Sequence, residues 1–75
     1  MTPNEKLIYM ANQIAGFFAS QGEEQAAKSV ADHIQKFWDP HMRRTLVALA
    51  VGDAKDMKDS VRKALPLLKD YAAAP

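Results

Sequence analysis

Cysteine is missing from the chain altogether, which excludes disulfide staples, thiolate-ligated zinc or iron–sulfur clusters, and thiol redox chemistry. A surplus of charge is missing too: ten Lys+Arg stand against nine Asp+Glu, a net of +1. Nucleic-acid-binding domains usually carry a basic surplus clustered on one face, so no nucleic-acid partner is expected. No apolar run approaches the roughly 20 residues a helix needs to cross a bilayer. The opening Met1-Thr2-Pro3-Asn4-Glu5-Lys6 has neither the basic start nor the apolar stretch of a signal peptide. The composition therefore predicts a soluble cytoplasmic protein with no membrane contact. Glycine is scarce as well: Gly16, Gly22 and Gly52 stand singly, so no phosphate-cradling loop is present.

What is there is enough for a single helical domain spanning 1–75. A core of this size rarely supplies more than about 3–5 kcal/mol on its own. Without disulfides, that stability has to come from close helix packing, self-association or a partner subunit.

The hydrophobic spacing predicts an all-α bundle of about four helices. The first starts with Thr2 or Asn4 as cap and Pro3 in its first turn. It runs through Leu7, Met10, Ala11, Ile14, Phe17 and Phe18 at three-to-four spacing, and Gly22 stops it. Glu23 and Glu24 suit the positive end of the second helix, which lines up Ala27, Val30, Ala31, Ile34 and Phe37 on one side. Trp38-Asp39-Pro40 is the sharpest boundary. The residue before a proline is pushed out of helical geometry, so helix two ends near Phe37 or Trp38, and Asp39 caps helix three. Met42, Leu46, Leu49 and Ala50 form that helix's apolar side. Gly52-Asp53 is the next break. A last helix begins near Ala54 with Val61, Ala64, Leu65, Leu68 and Tyr71 inward, kinked or split at Pro66. Residues 72–75 read as a frayed tail.

Catalytic chemistry finds little support. His33 and His41 lie on opposite sides of the Pro40 break rather than at the i, i+4 spacing of a helical metal site. The serines and threonines lack a histidine or lysine at any motif spacing. Asp56 and Asp59 among Lys55, Lys58, Arg62 and Lys63 read as a solvated helix face with i, i+3 and i, i+4 pairs. Lys36, Arg43 and Arg44 are too few to argue for nucleic acid, although a helix-turn-helix reading would use them.

Apolar surface is in excess. Leu7, Ile8, Met10, Ala11, Ile14, Ala15, Phe17 and Phe18 cover about half the circumference of helix one, where a stripe of roughly 100° is typical. Phe17, Phe18, Phe37, Trp38 and Met42 gather near two helix ends. Surplus of this kind marks a protein contact, with a second subunit or a further copy of the chain as occupant. Tyr9, Asn12, Gln13 and Gly16 share the back of helix one, either as ordinary wet surface or as a place where another backbone approaches.

Two blocks carry a resemblance. Met10-Ala11-Asn12-Gln13-Ile14-Ala15-Gly16-Phe17-Phe18 and Ala31-Asp32-His33-Ile34-Gln35-Lys36-Phe37-Trp38-Asp39-Pro40-His41-Met42-Arg43 resemble the delta subunit of NAD-dependent formate dehydrogenase, over about Lys6 to Leu68. The resemblance implies a non-catalytic accessory subunit of a bacterial cytoplasmic complex. In that complex a large catalytic subunit carries a molybdenum or tungsten pterin and iron–sulfur clusters, and others carry FMN and the NAD site. It implies no catalytic, cofactor-binding or metal-binding residue in this chain. Asn12, Gln13, His33, Phe37, Trp38, Asp39, Pro40 and Arg43 match the family's signature blocks. Together with the aromatic surplus they give an expected partner interface of Asn12, Gln13, Phe17, Phe18, Phe37, Trp38, Asp39, Pro40, Met42 and Arg43, centred on Trp38.

Overall fold

A computed structural model describes residues 1–52, 55–69 and 71. Helix α1 spans Pro3–Phe18 and continues as a 3-10 turn over Ala19–Gln21. Helices α2 (Glu23–Phe37), α3 (Pro40–Val51) and α4 (Asp59–Ala64) follow, and a second 3-10 turn covers Leu65–Leu67. Among the described residues there is no strand, and no helix is long and apolar enough to cross a membrane.

The helix starts are set by their caps. Thr2, not Asn4, begins α1: its side chain accepts from the Glu5 backbone N–H, and the Glu5 carboxylate accepts from the Thr2 backbone N–H at 2.9 Å. Those bonds from Thr2, backbone first, hold the Glu5 carboxyl below its usual range. Asp39 caps α3 by accepting from the Met42 N–H at 2.8 Å, with Pro40 in the first turn.

Gly22 joins α1 to α2 at φ 89°, ψ 154°, a region only glycine occupies without strain. Among the described residues, its chain neighbours aside, a Cβ placed there would meet nothing within 4 Å, so the penalty is conformational. Gly22→Ala is therefore expected to cost about 1–3 kcal/mol, seen as a lower urea midpoint with an unchanged slope.

The core takes most of its small residues from α1 and α2 and its branched ones from α2, α3, α4 and the turn after α4. Ala11 and Ala15 of α1 and Ala26, Ala27, Val30 and Ala31 of α2 are buried, and the two helices pack against each other. Ile34, Leu46, Val30 and Val61 are the largest fully buried side chains. Helix α2 is the hub, packing most extensively on α4 and next on α1. At Pro66 the last helix changes to a 3-10 turn, which is the predicted split: proline has no N–H to donate to the helical ladder.

Two expectations about the C-terminal third are corrected. The last helix starts at Asp59, not near Ala54. The stretch 55–58 is irregular, held by the buried Met57 and by Asn12, whose amide donates to the Asp56 carbonyl at 2.7 Å and accepts from the Lys58 N–H at 3.0 Å. The charges there do not act simply as a helix's own surface pairs. Lys63 reaches Glu23 on α2 at 2.7 Å, and Arg62 donates to the Ala50 carbonyl at 3.2 Å. The hydrogen bond to Glu23, with its negative charge, raises the Lys63 ammonium above its ordinary value. The expected Asp53 cap and the 72–75 tail lie outside the described residues.

Candidate docking face

At the junction of α2 and α3, two neighbouring aromatics take opposite roles. Phe37 is 73% exposed, whereas Trp38 is only 6% exposed and belongs to the core. Trp38, expected at the centre of a partner contact, is thus buried in the free chain, and Phe37, expected both on the apolar side of α2 and in that contact, is exposed. The reason is helical phase. Ala27, Val30, Ala31, Ile34 and Trp38 follow one face at three-to-four spacing, while Phe37 falls with His33 on the flank. Trp38 leaves the helix in extended geometry (φ −94°, ψ 143°), and its N–H still donates to the Ile34 carbonyl at 2.9 Å.

Arg43 completes this corner. Its guanidinium donates to the Trp38 carbonyl and, at 3.5 Å, to the Gln35 carbonyl, satisfying acceptors that a helix end leaves open. Asp39 and Pro40, both exposed, set the start of α3, and half-buried Met42 packs against the core. Asn12 is likewise engaged inside the chain, by its two bonds to the 55–58 stretch. Lys36 pairs with Asp32 at 3.1 Å, so two of the three cations in the basic cluster, Lys36 and Arg43, are occupied within the chain.

The side chains that do face outward converge across α1 and α2. Phe17 is 81% exposed and stands edge-to-face on half-buried Phe18, with ring centroids 5.2 Å apart at 86°. On α2, His33 and Phe37, one turn apart, hold their rings 4.8 Å from each other. Between the helices an open groove of about 310 Å³ is lined by Gln13, Ile14, Phe17, Phe18 and His33. His33 and Phe18 also line the adjoining depression that leads to Phe37 and Lys36. Gln13 is steadied by donating to the Tyr9 hydroxyl at 3.2 Å. The face is thus aromatic at its centre and mixed in charge at its rim, the layout of a protein contact.

On the back of α1, Gly16 lines a separate open cleft with Ala15, Ala19 and Ala26. Among the described residues, its chain neighbours and its own helix's backbone aside, nothing comes within 4 Å of a Cβ built on it. Among the described residues no three His, Asp or Glu side chains are grouped as metal ligands.

A family model for the NADH-dependent formate dehydrogenase delta subunit, FdsD, matches residues 6–65. The chain belongs to that family. The match takes in α1, α2 and α3 entire but for the first turn of α1, and with them the whole aromatic face. Its description places the family among the subunits of an oxidoreductase complex, formate dehydrogenase. No curated protein and no solved structure is significantly similar to the chain.

Proposed function

We propose that the chain is a non-catalytic accessory subunit of a cytoplasmic formate dehydrogenase complex. It docks on the large catalytic subunit through the Phe17–Phe37 face, and so stabilises that subunit or assists its assembly. The observation that carries this reading is the placing of two mostly exposed phenyl rings on one face of a delta-subunit family member. Exposed aromatic surface costs solubility unless something covers it, and a subunit has a standing partner to do so. In this reading Gln13, Phe17, Phe18 and Phe37 touch the catalytic subunit. Asn12, Trp38, Asp39, Pro40, Met42 and Arg43 hold the helices that present them. The pterin metal, iron–sulfur clusters, FMN and NAD belong to other subunits, and this chain supplies surface rather than chemistry.

The test is co-purification of the tagged chain from its native cell with a high-salt wash and mass spectrometry. The large catalytic subunit is expected to remain bound, because salt screens charge pairs but leaves apolar burial intact or strengthened. Loss of every formate dehydrogenase subunit in low and high salt alike would sink the proposal.

A further inference from the structure

The aromatic face continues around α2. The depression that joins Phe18 and His33 to Phe37 is also lined by Lys28, Asp32 and Lys36. Lys28 and Asp32 line a further depression as well, together with Leu67 and Lys69. There the Lys69 backbone N–H donates to the Gln35 side chain at 2.8 Å, which fastens the residues after the second 3-10 turn to α2. Leu67 is exposed, a second apolar point beyond Phe37.

Charge on this strip is uneven. Lys28, Lys36 and Lys69 stand against Asp32, a net of +2, although the whole chain carries only +1. Asp32 and Lys36 pair at 3.1 Å, so the surplus rests on Lys28 and Lys69. Both are exposed, and among the described residues neither enters an ion pair. The other acids of α2 lie in its first turn and serve α4. Glu23 pairs with Lys63 at 2.7 Å, and Glu24 adds to the negative charge that Lys63 feels.

We infer that the docking segment of the catalytic subunit is acidic as well as apolar. An apolar side chain enters the groove between Gln13, Phe18 and His33, and flanking carboxylates meet Lys28 and Lys69. The inference rests on the docking reading and adds the chemistry of what docks. Opposite potentials across an interface select the partner and speed encounter. The two contributions act on different rates. Exposed lysines are screened by salt and govern association, whereas the covered rings govern dissociation. The complex therefore survives a salt wash once formed, yet forms faster in low salt.

The experiment is surface plasmon resonance of the full chain over immobilised formate dehydrogenase catalytic subunit, between about 50 and 500 mM NaCl. The association rate should fall about tenfold or more across that range, with the dissociation rate nearly constant. Lys28→Glu with Lys69→Glu reverses the sign of the strip and should slow association in low salt by about tenfold or more, the helical circular dichroism being unchanged. Lys28→Gln with Lys69→Gln should fall between that variant and the parent. An association rate indifferent to salt and to the reversal, with Phe37→Ser still losing affinity, overturns the inference and leaves the docking reading standing. So does faster association by the reversed variant, which would make the docking segment basic. Binding to phosphatidylglycerol vesicles in place of the catalytic subunit would give the lysines to a lipid surface and remove both readings.

Discussion

Trp38→Ala is expected to abolish the cooperative unfolding transition of the isolated chain and most of its helical circular dichroism. The indole is 6% exposed and packs with Ala11, Ile34 and Leu46 in one core cluster. Removing a buried ring of that size costs about 3–5 kcal/mol, through lost burial plus the cavity left behind. A core this small supplies about the same amount in total, so the variant has nothing left to fold with. The loss also reaches the backbone. The Trp38 carbonyl accepts from Arg43 and its N–H donates to Ile34, so the α2–α3 corner is secured around this residue. Trp38→Phe should keep a cooperative transition at a lower midpoint, since it retains most of the apolar volume. An alanine variant with an unchanged urea midpoint would show that the ring is not core.

The opposite behaviour is expected one residue earlier. Phe17→Ser with Phe37→Ser should keep a cooperative transition, each losing only the worth of one ring contact, about 0.5–1.5 kcal/mol. Docking should fall instead. Aromatic anchors at the centre of an interface are worth about 2 kcal/mol or more when truncated, which is roughly 30-fold in affinity. Titration calorimetry against the catalytic subunit reads this directly, with the unfolding curve as control. Full affinity in a folded double variant would place the contact elsewhere on the chain. Neighbours in sequence, Phe37 and Trp38, are thereby separated by which property each substitution removes.

The caps and breaks were legible because each rests on local chemistry. The Asp39-Pro40 start, the Gly22 stop and the Pro66 split all act within a few residues of themselves, whereas at the first helix the residues allow either Thr2 or Asn4 as cap. The aromatic pair was harder. Phe37 and Trp38 are both large and apolar, and they are told apart only by carrying the stripe of Ala27, Val30, Ala31 and Ile34 four residues on, to Trp38. The stretch before α4 was not legible at all. Its charges alternate as a helix would allow, but Met57 and Asn12 hold it irregular through contacts with α1, and nothing near it in sequence announces a partner more than 40 residues away. The surplus of apolar residues on helix one was visible as a total. Which of them were surplus, Phe17 rather than Leu7 or Ile14, depended on where α2 came to lie. The family's two signature blocks fell on α1 and on the α2–α3 corner, so the resemblance located the face without saying which side chains line it.

The Asn12 bonds to the 55–58 stretch have a consequence for the order in which the molecule is made. Helix α4 has only six residues, too few to persist alone in water, and its approach segment is fastened to the first helix. During synthesis α1 and α2 therefore leave the ribosome well before the piece that closes over them. A hairpin of these two helices alone would carry Phe17 and Phe37 on its outside and leave its inner face open until Met57, Val61 and Leu65 pack on it. For that interval the nascent chain is apolar on both sides, and it resolves into one buried and one open face only when its last third arrives.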